Sequence, residues 1–79
     1  MFIQIVADQL VVRLTKADWQ VANGVKAMKF VEELKKEIPM KDRVYNSQEK
    51  TWYLPPAYID LVHQIKDEVF ADKRQAELF

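Results

Sequence analysis

Seventy-nine residues without a cysteine allow one small domain and exclude disulfides and thiolate metal sites, so a reducing cytoplasm is the expected compartment. Twelve Lys and Arg balance twelve Asp and Glu, which removes any overall field drawing the chain to nucleic acid or an anionic membrane. The apolar fraction suits an ordered core, yet no apolar run approaches the ~20 residues of a membrane span, and Gln4 and Asp8 interrupt anything resembling a signal peptide.

Residues 2–14 are rich in β-branched and aliphatic types, with Asp8-Gln9 as the polar break. This composition predicts a hairpin with strands near 2–7 and 10–14, or one long bent strand, because glutamine suits a primed turn poorly. Next, Thr15-x-x-Asp18 approximates a capping box and Asn23-Gly24 a helix stop, so 16–22 reads as a short helical turn. Trp19 and Val21 also alternate with Gln20 as a strand would.

Ala27, Phe30, Val31, Leu34 and Ile38 recur at helical spacing, with Lys26, Lys29, Glu32, Glu33, Lys35 and Lys36 on the other side. That pattern predicts an amphipathic helix over 25–38, which Pro39 stops. A second hairpin follows over 43–54, its glycine-free turn built around Asn46 as a longer loop. In its second strand Trp52 and Leu54 share one face, Thr51 and Tyr53 the other. Pro55-Pro56 then opens a helix over 56–70 or longer, with Tyr58, Leu61, Val62, Ile65 and Val69 as its apolar stripe. The expected fold is α+β in the order ββαββα, a single domain over 1–79. Its helices pack on one face of a small, mainly antiparallel sheet.

Catalytic chemistry is sparse. His63 is the sole histidine, a single glycine cannot form a phosphate-cradling loop, and no metal-ligand spacing occurs. The acidic pairs Glu32-Glu33 and Asp67-Glu68 read as solvated helix faces. No enzyme activity and no cofactor are expected. Charge is mildly uneven: residues 26–50 hold seven basic positions (26, 29, 35, 36, 41, 43, 50) against five acidic ones (32, 33, 37, 42, 49). Aromatic residues of the second hairpin suit stacking on unpaired bases, with lysines and Arg43 at the phosphates.

The run Ile38-Pro39, Arg43-Val44-Tyr45-Asn46, Glu49-Lys50-Thr51-Trp52 and Leu54-Pro55 resembles the strand–turn–strand signature of HARP-type domains. It is also similar to the related damage-recognition domains ahead of XPB-like helicase cores. Asn46-Ser47 stands here where those families commonly have Asp-Pro. The resemblance covers roughly residues 26–70, with Tyr45, Lys50 and Trp52 at motif positions. It implies a noncatalytic accessory module that engages forked or single-stranded DNA as part of, or alongside, a helicase or nuclease.

On this reading Lys36, Lys41, Arg43, Lys50 and Tyr53 contact nucleic acid, while Tyr45 and Trp52 anchor the hairpin. The alternative is a protein-interaction module, a subunit, adaptor or phage-type inhibitor of a larger nucleic-acid enzyme. It would act through Val69, Phe70, Leu78 and Phe79 of the C-terminal helix, with a homodimer through that helix as a variant.

Overall fold

Two hairpins meet through their inner strands. Strand β1 (Phe2–Val6) turns back into β2 (Gln9–Arg13), and β3 (Val44–Asn46) into β4 (Thr51–Leu54). Antiparallel pairing of β2 with β4 sets Leu10 opposite Leu54 and Val12 opposite Trp52, giving the sheet order β1–β2–β4–β3. The computed structural model describes residues 1–70. Leu78 and Phe79, and any extension of the last helix toward them, lie outside the described residues.

Three helices connect and cover this sheet: α1 (Lys16–Gln20), α2 (Val25–Glu37) and α3 (Ile59–Phe70). The α+β class and the one-face arrangement are as expected; α1 adds a short helix after the first hairpin. Thr15 caps it as the sequence pattern suggests, accepting from the Asp18 amide while Asp18 accepts from the Thr15 amide at 2.7 Å. The helix is shorter than the expected 16–22. Ala22, Asn23 and Gly24 all take positive φ, which bends the chain before α2 begins.

Side-chain alternation assigns the two faces of the sheet. Ile3 and Ile5, Leu10 and Val12, Tyr45, Trp52 and Leu54 point toward the helices. There Leu10, Val12, Trp52 and Leu54 pack with Phe30, Leu34 and Ile38 from α2 and its end, and with Val62, Ile65 and Val69 from α3. Val31, by contrast, is only half-buried, at the margin of this core. The opposite face carries Phe2, Gln4, Val6, Val11, Arg13, Val44, Thr51 and Tyr53. It is not uniformly open, because Thr51 is fully buried: its hydroxyl accepts from Arg13 Nε at 3.2 Å and donates to the Glu49 carbonyl at 2.9 Å. Arg13 in turn lies over the Phe2 ring, 5.6 Å from its centroid.

Turn chemistry explains both hairpins. The first turns at Ala7-Asp8, one residue earlier than the Asp8-Gln9 break, and Gln9 pairs with Val6 as a strand residue. Both central residues have positive φ, 51° at Ala7 and 62° at Asp8, the signature of a type I′ turn. Aspartate tolerates that left-handed region better than the longer glutamine would, which moves the turn off Gln9. In the second hairpin the loop 47–50 is closed by the pair Asn46 and Thr51. Asn46 Oδ1 accepts from the amides of Gln48 and Glu49, each at 3.0 Å, so asparagine organises the loop that glycine does not.

Left-handed backbone at an ordinary side chain costs ~1–2 kcal/mol per residue. Replacing Ala7-Asp8 with Asn-Gly should therefore raise stability by ~1 kcal/mol. Urea unfolding would show this as a higher midpoint with an unchanged slope.

Candidate functional site

A concave feature opens on the helix side of the sheet, between α1, α2 and the second hairpin. It is a groove of about 760 Å³. Tyr45 and Trp52 form its floor from adjacent strands, directly paired across the hairpin, with ring centroids 4.6 Å apart and planes tilted by 44°. Trp19 of α1 provides a wall, together with Leu14 and Val31. The rim is basic: Lys16 from α1, Lys35 from α2 and Lys50 from the loop. No carboxylate lines the groove, and among the described residues no carboxylate lies at ion-pair distance from these three lysines.

The aromatic rings differ in how much they offer. Trp52 is 6% exposed and belongs to the core, as expected of a hairpin anchor. Tyr45 is 47% exposed, so its expected role as a second anchor is corrected: it shields the edge of Trp52 and presents its outer face to the groove. Trp19 is similarly open at 46%. Lys35 holds its ammonium 5.9 Å from the centroid of the Trp52 ring, which fixes a cation at the aromatic floor.

Local backbone geometry places these groups. Lys50 sits at φ 54°, the last loop residue before β4, where the left-handed conformation closes the four-residue loop. Gly24, at φ +86°, brings its backbone beneath Trp19: a Cβ there would stand 3.4 Å from the Trp19 carbonyl and 3.6 Å from its ring. Those are ordinary van der Waals separations, so it is the positive φ, rather than lack of space beneath the indole, that favours glycine at this position.

The residues expected to bind nucleic acid are dispersed. Lys50 alone of the five reaches the groove. Lys41 and Tyr53 border a smaller depression of about 260 Å³ with Asp8 and Asp42, where basic and acidic groups offset one another. Tyr53 donates its hydroxyl to the Glu49 carboxylate at 2.5 Å, a contact that raises the phenol pKa. Arg43 donates from Nε to the Ile38 carbonyl at 3.0 Å, tying the end of α2 to the start of β3. Lys36 is exposed on α2 and lines neither depression.

The partner-binding alternative also changes. Val69 is buried in the core and Phe70 packs its ring 6.1 Å from that of Phe30, so both face inward. His63 is exposed on α3, and no cluster of metal-ligating side chains occurs among the described residues.

Lys16, Trp19 and Lys35 are the groove residues that sequence reasoning missed. Lys35 follows Val31 by one helical turn, and this spacing was a usable signal that both flank one side of α2. Tyr45, Lys50 and Trp52, three positions of the run quoted for the resemblance, all line the groove. No family model, curated protein or solved structure matches this chain. No helix among the described residues is long and apolar enough to cross a membrane.

Trp19 depends on the cap beside it. Burial raises the Asp18 pKa, but hydrogen bonds from the Thr15 amide, the Met1 ammonium and the Thr15 hydroxyl, with the charge of that ammonium, outweigh it and hold the carboxyl below its ordinary 3.8. The lowered folded value means this contribution is present above the unfolded pKa and disappears as pH falls through the folded one. Acidification below about pH 4 should therefore lower the urea midpoint and shift Trp19 fluorescence in wild type by more than in Asp18→Asn.

Proposed function

We propose that this domain is a noncatalytic binding module for single-stranded nucleic acid, holding unpaired bases in the groove between α1, α2 and the second hairpin. The observation that carries this reading is the combination of exposed rings and unopposed cations. Trp19 and Tyr45 offer stacking surfaces, while Lys16, Lys35 and Lys50 surround them with no carboxylate in the lining. Bases stack on any aromatic face, and lysines neutralise the phosphates that connect them. The groove volume of about 760 Å³ matches a site for one or two planar groups.

Overall neutrality does not oppose this reading. Phosphate contacts depend on charges within a Debye length, ~8–10 Å at physiological salt, and the groove is locally basic. Affinity for an isolated domain should be modest, since only three lysines line it. The resemblance to helicase-associated domains supports the same reading, because three of its positions, Tyr45, Lys50 and Trp52, meet at the groove. Attachment to, or assembly with, a helicase or nuclease is the setting that the resemblance suggests.

Fluorescence polarisation of a labelled single-stranded DNA tests the proposal. Binding should weaken steeply with salt, with a slope of log affinity near −2 for three phosphate contacts. A blunt duplex, whose bases are stacked internally, should bind less well. Unchanged polarisation at low salt and high micromolar protein would remove the reading.

Two substitutions sharpen the test. Trp19→Ala should weaken binding by the ~1–3 kcal/mol of one base–aromatic stack. Lys50→Gly should weaken binding without lowering stability. Glycine accepts the φ of 54° without strain and leaves the urea midpoint unchanged or higher, while loss of the ammonium lowers affinity and flattens the salt slope by ~0.7.

A further inference from the structure

Among the described residues, strand β1 ends the sheet and pairs with β2 alone. Edge strands in soluble proteins are ordinarily protected by charge, proline, a bulge or brevity. Strand β1 has none of these: Phe2-Ile3-Gln4-Ile5-Val6 is uncharged, five residues long and in unbroken register with β2. Ile5 and Val6 are each 49% exposed. The other edge, β3, is only three residues long.

The turn determines which backbone groups of β1 face outward. A two-residue turn closes on a pair that exchanges both N–H···O bonds, here Val6 and Gln9, and bonding alternates from there. Phe2, Gln4 and Val6 thus direct their amides and carbonyls toward β2. Ile3 and Ile5 direct theirs away from the sheet.

The strand also reads alike in both directions about Gln4: apolar, isoleucine, glutamine, isoleucine, apolar. We infer that β1 pairs antiparallel with β1 of a second copy of this chain, about a two-fold axis at Gln4. Ile3 then meets Ile5 of the partner subunit, and Ile5 meets Ile3 of the partner subunit. Each of these is an outward-facing pair, so the outward N–H and C=O groups of both isoleucines bond to each other across the new seam. Their side chains lie on the helix face, where they extend the two cores into each other. On the other face, Phe2 meets Val6 of the partner subunit. Gln4 lies opposite Gln4 of the partner subunit in the closer, non-bonded type of pair, and the two amides can hydrogen-bond across the axis.

A charged partner strand has nothing to pair with on this edge, whereas its own copy matches it in every position. Two four-stranded sheets would become one continuous sheet. The axis is perpendicular to that sheet, so the helices of both copies share one face. This inference does not rest on nucleic-acid binding, because the groove lies toward the opposite edge and stays open in the dimer.

Light scattering on the full chain, from ~10 µM to ~1 mM, should show the mass rising from one chain to two as a small interface fills. Gln4→Lys and Gln4→Glu should each remain monomeric over that range, since like charges would meet across the axis. Gln4 is exposed, so their circular dichroism should match wild type. An equimolar mixture of the two variants should recover the dimer. A wild-type mass fixed at one chain, a dimer that survives both substitutions, or a mixture that stays monomeric would each overturn the inference.

Discussion

The pairing of β2 with β4 holds the domain together. Residues near position 10 meet residues near position 54, so the two hairpins become one sheet only when nearly the whole intervening chain has folded back. Leu10, Val12, Trp52 and Leu54 then form one apolar surface, and neither hairpin has such a surface alone. Helices α2 and α3 need that surface to bury Phe30, Leu34, Val62 and Ile65. A two-stranded hairpin is marginal in water, so each half of the protein gains its stability from contact with the other. Long-range closure of this kind is entropically slow, which makes the β2–β4 contact the expected late step in folding.

A second constraint is the scarcity of glycine. One glycine serves a chain with several sharp turns, so Ala7, Asp8, Ala22, Asn23 and Lys50 all occupy left-handed backbone. Each costs free energy that the packed core must offset. Their locations differ in consequence. Ala7 and Asp8 shape only the first hairpin. The run Ala22-Asn23-Gly24 instead bends α1 back over the start of α2 and sets Trp19 at the groove, while Lys50 stands at its rim. Backbone strain is therefore concentrated partly where it positions the groove.

Elements with strong periodicity were legible in the sequence. The 3.6-residue stripe of α2 and its stop at Pro39, the stripe of α3 and the alternation in β4 follow directly from local side-chain chemistry. The capping box at Thr15 and Asp18 was readable for the same reason. The groove was less legible, because its walls come from three elements distant in sequence: Trp19, Lys35 and Tyr45 meet only through the tertiary fold. Arg43 illustrates the converse. In the sequence it is a cation beside a candidate turn, but the carbonyl it bonds belongs to Ile38, and that use depends on how the chain leaves α2. Tyr45 and Trp52 looked equivalent as aromatics of one hairpin. Their difference arises because β4 is internal to the sheet while β3 is its edge.

That difference between inner and edge strands also separates the two surfaces of the molecule. At the β3 edge the strand is short, and its exposed side chains contribute an aromatic ring to a groove whose other walls are helical. At the β1 edge, among the described residues, the strand pairs with β2 alone, and its outward backbone groups suit pairing with another strand. Pairing at β1 would leave β3 at each end of the enlarged sheet, with both grooves on the face that carries the helices. Seven strand spacings of ~4.8 Å would place the two β3 strands ~34 Å apart. A single extended nucleic-acid strand can cross that distance, so self-association through this edge would convert a weak groove into a bivalent one. Effective concentration, rather than any additional contact, would then raise the affinity.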